Sequence, residues 1–301
     1  MTKTAYLSGP MRGFPQWNFP AFDRNAEFLR DAGWEIISPA EVDREIGFDE
    51  TDETAIFTDA DFEVAIRRDY VALTESDAII FMPGWEKSTG AKLESDFANV
   101  LKLDRYRVNA DTSYFEKEFV LGFTGYATCG KDRIAREFVE NLAFERHGFA
   151  DALKSILYAL NPRIELQDSD YAGTWTVKSI VDRRGWDEAK KEPEIRQLLQ
   201  TLGTEGARNA LGSDVWIKAL FAAPHAARIV IPDCRFPNEI QAIRDRGGIV
   251  VRVHRDGVGP INDHISDQIN FEADIDVYNN YTPESAYHTI KAALPAFGIE
   301  L

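Results

Sequence analysis

Two cysteines in 301 residues, Cys129 and Cys234, are too few for a disulfide framework, and a reducing cytoplasm is the expected setting. Long apolar runs are missing too: none approaches the roughly 18–20 residues of a membrane-spanning helix. The opening "MTKTAYLSGP" has no apolar signal core and enters a strand-like pattern at once. Positive charge is in short supply, with 34 Lys and Arg against 50 Asp and Glu, a formal net charge of −16. Nucleic acids and anionic membranes are held largely by Lys and Arg on phosphates, so neither is an expected partner. A small phosphorylated ligand needs only a nest of amides and a few cations, so a nucleotide fits the charge balance better. The five histidines show no metal-ligand spacing with the cysteines, and no GxSxG turn occurs.

What is present is enough hydrophobic sequence, 44%, for a proper core, in a length that suits one large domain or two ordinary ones. "TAYLSGP" reads as a strand running into a Gly-Pro turn. A helix with Phe22, Ala26 and Leu29 on one face follows and stops at Gly33. "WEIISP" and "DAIIFMPG" read as strands. The acidic stretch 49–63 reads as a solvated loop before a helix near 66–74. "AKLESDFANVLK" reads as a helix with Leu93, Phe97 and Val100 facing inward. Trp17, Trp34 and Trp85 are expected to pack rather than stack on a base. This β-α-β succession implies a small parallel sheet. Polar "VNADTSYFEKE" reads as a connector, after which a second βα pattern restarts at "FVLGFTG". Its landmarks are a helical middle (about 150–222), the strands "ARIVIPD" and "GGIVVRVHR", a helix after Pro237 and a closing helix. Two α/β domains with a boundary near residue 115 are expected.

"GYATCGKD", Gly125 to Asp132, lies between a strand and a helix and fits GxxxxGK[ST] except at its last place. Glycines let backbone N–H groups turn toward phosphate, and the helix N-terminus adds a favourable field. Lys131 would reach the transferring phosphates. Asp132 stands where a hydroxyl usually ligates Mg²⁺; it either holds the metal or merely complements the helix dipole. "ARIVIPDCRFPNE" ends an apolar strand in Asp233, the layout of a second magnesium carboxylate, and Arg235 two residues on is placed to fork a phosphate.

These blocks, with "FADALKSIL", "LLQTLGTEGARNALGSDVW", "IPDCRFPNEIQAIRDRGGIVVRVHR" and "DHISDQ", resemble the deoxynucleoside monophosphate kinases of bacteriophages over about 118–301. Members typically show GKD followed by Thr or Ser; here Arg133 follows, and Asp267 replaces a more usual Glu. The resemblance implies transfer of the ATP γ-phosphate to a dNMP, with ATP and Mg²⁺ as cofactors. Gly125, Thr128, Gly130 and Lys131 would hold the donor, and Asp132 and Asp233 the metal. Lys154, Arg208 and Arg235 would bind the acceptor, Asp151, Asn238 and Glu239 would shape its pocket, and Arg252 or Arg255 would close over the phosphates.

A separate constellation precedes the loop. "YLSGPMRG" carries Tyr6, Gly9 and Arg12. "RRDYVALTESDAIIFMPGWEKSTGAKLESDF" carries Asp69, Asp77, Ser88, Gly90 and Glu94. Over about 4–103 this resembles the nucleoside 2-deoxyribosyltransferase-like superfamily, including its deoxynucleoside 5′-monophosphate N-glycosidases. The resemblance implies that Glu94 attacks C1′ of a deoxyribose and Asp69 protonates the departing base. Arg12 and Ser88 would hold a 5′-phosphate, and Tyr6 would orient the nucleophile.

The expected architecture is therefore a small flavodoxin/Rossmann-like parallel-sheet domain (1–108), a connector (109–117) and a P-loop nucleoside monophosphate kinase domain (118–301). The expected function is a deoxynucleotide enzyme with kinase and base-releasing activities. The alternatives are a kinase with a non-catalytic N-terminal binding or dimerisation module, through which any homo-oligomer would form, and a nucleotide-sequestering protein without turnover.

Overall fold

The computed structural model describes residues 2–52, 58–166, 173–223, 225–259 and 271–299. "DHISDQ", with Asp267, and part of the acidic stretch lie outside them. The chain divides into two compact units: Met1–Leu121 with Pro224–Ile229 and Ile243–Ile249, and Gly122–Ala223 with Val230–Ala242 and Val250–Leu301.

The first sheet holds β1 (Thr4–Ser8), β2 (Glu35–Ile37), β3 (Ala78–Phe81), β4 (Asp104–Val108) and β5 (Phe115–Lys117) in the order β2-β1-β3-β4-β5. The first four are parallel and β5 is antiparallel to β4. Helices α1 (Phe19–Asp31), α2 (Pro39–Glu45), α3 (Asp59–Thr74) and α4 (Thr89–Leu101) make the crossovers. Side chains alternate along β1, as the pleat requires. Ala5 and Leu7 pack with Phe22, Ala26 and Leu29 of α1, while Tyr6 packs on the other face with Ile79, Phe81, Leu73 and Ala98. The tryptophans pack against aromatic neighbours, Trp85 stacked on Phe81 at 4.2 Å, Trp34 edge-on to Tyr106 and Trp17 edge-on to Phe48.

Three expectations are corrected here. Helix α3 begins at Asp59, inside the stretch read as loop. Thr58 and Asp61 form a capping box, and acidic Asp59 and Asp61 suit the positive end of the helix. Only Asp69 and Leu73 of α3 are buried, so no apolar period marks it. Helix α4 turns Ala91, Glu94, Ser95 and Ala98 inward, whereas Leu93 and Val100 are exposed. An apolar-period argument fails on a helix whose buried stripe carries a carboxylate. The connector contains β5, reached by a turn in which the Asn109 side-chain oxygen accepts from the amides of Ser113 and Tyr114. Beside it, buried Glu118 accepts from Arg105 Nε at 2.6 Å and from Arg107. Burial pushes Glu118 up, but the two guanidiniums outweigh it and hold the carboxyl at about 2.

The second sheet has the order β12-β11-β6-β10-β7. Its elements begin with β6 (Phe119–Thr124), α5 (Lys131–Leu142), β7 (Glu145–Arg146) and α6 (Ala150–Leu160). A separate antiparallel pair follows, β8 (Arg163–Leu166) and β9 (Gly173–Thr176), inside the region read as wholly helical. Leu157, Ile164, Leu166, Val177, Ile180 and Ile195 bury one another there. Next come α7 (Val177–Ala189), α8 (Pro193–Gln200), a π-helical stretch Thr201–Arg208, α9 (Asn209–Leu211) and α10 (Val215–Ala222). Strand β10 (Arg228–Ile231), α11 (Pro237–Arg244), β11 (Ile249–His254), β12 (Ile275–Tyr278) and α12 (Pro283–Ala293) complete the unit. Strand β6, buried along its whole length, is central and feeds the glycine loop.

Candidate functional sites

In the first sheet the strand order reverses direction between β1 and β3, the place where an open parallel sheet leaves a crevice at its carboxyl edge. Gly9 lies there because a Cβ would come within 3.0 Å of Met82. Tyr6 and Ser8, two residues apart on β1, present hydroxyls to the same carboxyl. Tyr6 donates to Glu94 Oε1 at 3.1 Å and Ser8 Oγ donates to Oε2 at 2.5 Å. Glu94 is 7% exposed, Tyr6 and Ser8 wholly buried. Burial, then the nearby charges of Glu94 and Asp69, push the Tyr6 phenol well above its ordinary value. Burial, then the nearby Asp69 charge, raises Glu94 to about 8 against the pull of the two hydroxyls. Burial raises Asp69 to about 6, against Arg68 at 4.0 Å and with Asp43 adding to the rise. A carboxyl pair pushed apart in this way can divide the work of nucleophile and acid.

Ser88 is the N-cap of α4, its Oγ accepting from the Ala91 amide at 3.3 Å, and Gly90 lies in the first turn. Arg12, exposed, has its guanidinium 4.7 Å from the Phe62 ring centre. Asp77 is not brought to this group. It precedes β3 and accepts from the Thr4 amide at 2.9 Å, four residues back along β1 from Ser8, about 13 Å at the usual rise of a strand. Sequence reasoning misses Ser8; its alternation with Tyr6 is the available signal.

In the second unit Gly125 (φ 144°) and Gly130 (φ 97°) adopt backbone conformations that disfavour side chains, and both are crowded. A Cβ on Gly125 would come within 2.6 Å of the Val253 carbonyl, and one on Gly130 within 2.2 Å of Asn279 Nδ2. Asn279 is buried and donates to the Cys129 carbonyl at 2.9 Å, fastening the loop. Thr128 also has positive φ. Gly130→Ala is therefore expected to lower stability by about 2 kcal/mol or more and to disorganise the loop, checked by thermal melts and ATP titration. Buried Lys131 opens α5, its Nζ donating to the Tyr126 carbonyl at 3.4 Å, and exposed Asp132 occupies the first turn.

Both Asp233 oxygens accept backbone amides, from Phe149 at 2.9 Å and Ala150 at 3.0 Å, so this carboxylate caps α6 rather than standing open. Asp151 accepts from Arg146 at 2.7 Å and Lys154 at 3.2 Å. Arg146 also feels Asp233 and Asp132, and nothing in its sequence context marks it. The π-helical stretch ends in Arg208, which donates to Glu239 at 2.5 Å and lies 4.1 Å over the Phe236 ring. Trp216 Nε1 donates to the Gly203 carbonyl at 3.0 Å, satisfying an acceptor within that stretch. Glu239 also accepts from the amides of Arg235 and Phe236, while Asn238 donates to Asp214. Burial pushes Glu239 up to about 7, against those amides and Arg208. Beside the loop is a cleft of about 370 Å³, lined by Gly125, Tyr126, Arg252, His254, Arg255 and Tyr278 among others. His254 stacks on Tyr278 and pairs with Asp276 at 2.6 Å. Arg255 reaches the Thr128 carbonyl at 3.4 Å. Among the described residues no three His, Cys, Asp or Glu side chains are gathered as for a metal ion, and no helix is long and apolar enough to cross a membrane.

Residues 165–290 match the family model described as deoxynucleotide monophosphate kinase, and residues 3–105 match one described as a domain of unknown function, DUF4406. The kinase match takes in Arg208, Asp233, Arg235, Glu239, Arg252 and Arg255 but begins after the glycine loop. A putative deoxynucleotide monophosphate kinase of Acanthamoeba polyphaga mimivirus is 29% identical over 190 residues, 57% of this chain and 93% of that protein. Among solved structures, shikimate kinase from Aquifex aeolicus vf5 aligns with a TM-score of 0.33 at 13% identity, over 60% of this chain and 98% of that one.

Proposed function

We propose that the C-terminal domain phosphorylates a deoxynucleoside monophosphate from ATP, and that the N-terminal domain cleaves or exchanges the base of a deoxynucleotide. The observation that carries the first part is the crowded glycine loop on the central strand with Lys131 at the helix start, in a chain similar over its C-terminal part to deoxynucleotide monophosphate kinases. Phosphoryl transfer needs positioning and charge neutralisation more than covalent chemistry. Loop amides and Lys131 would hold the β- and γ-phosphates of ATP, with the rest of the donor along the cleft under Arg252 and Arg255. Lys154, Arg235 and Arg146 would hold the acceptor phosphate. One of its oxygens attacks the γ-phosphorus as the bond to the β-phosphate oxygen breaks, leaving ADP and a dNDP.

Mg²⁺, carried in with ATP, would neutralise charge between the β- and γ-phosphates. Asp132, exposed beside Lys131, fits that ion directly or through water, since octahedral Mg²⁺ keeps several waters and takes few protein ligands. Asp233, with both oxygens on amides, instead fixes the start of α6 and with it Asp151 and Lys154.

The buried carboxyl pair carries the second part. Glu94 would bond to C1′ as the C–N bond breaks and the base takes a proton from Asp69. Water or another base would then release the sugar. Arg12 and the N-terminus of α4 would hold a 5′-phosphate. Incubating the protein with each dNMP, with and without ATP and Mg²⁺, and resolving dNDP from free base by chromatography tests both parts. The expected result is dNDP that requires ATP and free base that does not. No dNDP from any dNMP would sink the kinase reading; no free base would leave the N-terminal domain as a binding or dimerisation module.

A further inference from the structure

Ser8 is the last residue of β1, and its backbone is held in the sheet. It stands opposite Phe81 in the pairing of β1 with β3, and its carbonyl accepts from the Met82 amide at 2.8 Å. The side chain is wholly buried. Its Oγ donates to Glu94 Oε2 at 2.5 Å, while Tyr6 donates to Oε1 at 3.1 Å. Among the described residues no lysine or arginine pairs with Glu94, and the charge that acts on it is that of another carboxyl, Asp69. Two hydroxyls from one strand are thus what supports a negative charge on Glu94 in a desolvated place.

That support matters unequally to the two halves of a reaction that runs through a glycosyl ester. Forming the ester removes the charge of Glu94, so burial does not oppose it. Opening the ester sends an electron pair back to the carboxyl, and a buried carboxylate without donors is a poor leaving group. Resting on the N-terminal part of the proposed function, we propose that Ser8 is a positioning residue of the second half: it acts through Glu94, its hydroxyl receiving the charge that returns to the carboxyl when the deoxyribosyl ester opens.

In the first half Oε1, whose hydrogen bond is the longer and costs less to give up, bonds to C1′ as the C–N bond breaks and the base takes the Asp69 proton. Oε2 becomes the carbonyl oxygen of the ester and stays on Ser8. In the second half a water oxygen bonds to C1′ while the C1′–Oε1 bond breaks, and the electron pair of that bond passes to the carboxyl. The water's proton goes to the Asp69 carboxylate. The restored charge spreads over both Glu94 oxygens, and Ser8, already on Oε2, meets it without rearrangement. Tyr6 faces the esterified oxygen and regains its full bond only after the ester has opened. Ser8 is the donor in place throughout.

The test separates the two halves. Wild-type protein, Ser8→Ala and Ser8→Cys are mixed with each dNMP, free base is followed from the first turnover, and acid-quenched protein is weighed by mass spectrometry for a deoxyribosyl phosphate adduct. Cysteine fills the place of serine but is a weak donor, so it tells donation from packing. Wild-type protein is expected to release base steadily with little adduct. Both variants are expected to give a burst of about one base per protein, then a steady rate lower by about 30-fold, the worth of a hydrogen bond to a charged group, with the adduct as the main species. Slower release in Ser8→Ala without burst or adduct overturns the inference, because a merely structural loss slows the first half as well. Unchanged release in Ser8→Ala, adduct already abundant in the wild type, or wild-type behaviour of Ser8→Cys beside a trapped Ser8→Ala overturns it too. Neither base nor adduct from any dNMP with any of the three proteins overturns the base-releasing reading on which it rests.

Discussion

Glu94→Gln is expected to abolish base release by about 10³-fold or more while nucleotide binding to the N-terminal unit persists. Glutamine keeps the length of the side chain and its hydrogen bonds to Tyr6 and Ser8, but it has no carboxylate to bond to C1′. The same substitution is expected to raise stability at alkaline pH. Folding lifts Glu94 from an ordinary value of 4.5 to about 8, so between those values the folded state keeps a proton that the unfolded chain has released. Stability of the wild-type protein therefore falls as pH rises through that window, with Asp69 adding to the fall up to about 6. The variant escapes Glu94's share, and its advantage grows with pH and levels off above about 8. Denaturant titrations in acid and in alkali, beside a base-release assay, check both effects. An inactive variant with no alkaline gain would deny that Glu94 sits in a strained, desolvated place; a variant that still releases base would remove it as nucleophile.

Lys131→Met is the counterpart in the second unit, with ATP-dependent dNDP formation expected to fall by about 10³-fold. The lysine is buried at the helix start with only a long bond to the Tyr126 carbonyl. Its stem packs, and among the described residues no carboxylate pairs with its ammonium, so methionine preserves the packing and removes only the charge. The melting temperature is expected to stay close to wild type, and base release to be unaffected. Retention of dNDP formation would show that the glycine loop is not where the donor phosphates lie.

Much of this is legible in the chain. The β-α-β rhythm and the glycine loop are written in local patterns, because pleat and helix periods and turn chemistry act over a few residues, whereas the pairing of Glu94 with Asp69 is what the resemblance over about 4–103 implies. Misreadings arise where a buried face is polar. Helix α4 hides Glu94 and Ser95 and exposes Val100, so counting apolar residues turns it the wrong way. Helix α3 has almost no apolar stripe, since Asp69 is half of what it buries. Nearness in sequence groups Asp77 with Glu94, yet a strand's length separates its end of the sheet from the crevice.

By itself the sequence determined that this is an acidic two-part α/β chain, with a glycine loop between strand and helix and carboxylates spread along both parts. The tertiary structure alone decided what those groups are to one another. That Tyr6 and Ser8 grip both oxygens of Glu94 depends on a parallel pairing of β1 with β3 and on how α4 lies against them. That Asp233 caps α6 instead of standing open depends on two amides 83 and 84 residues away in the chain. Desolvation and long-range pairing set the protonation of each carboxyl, and neither is encoded in any short run of residues.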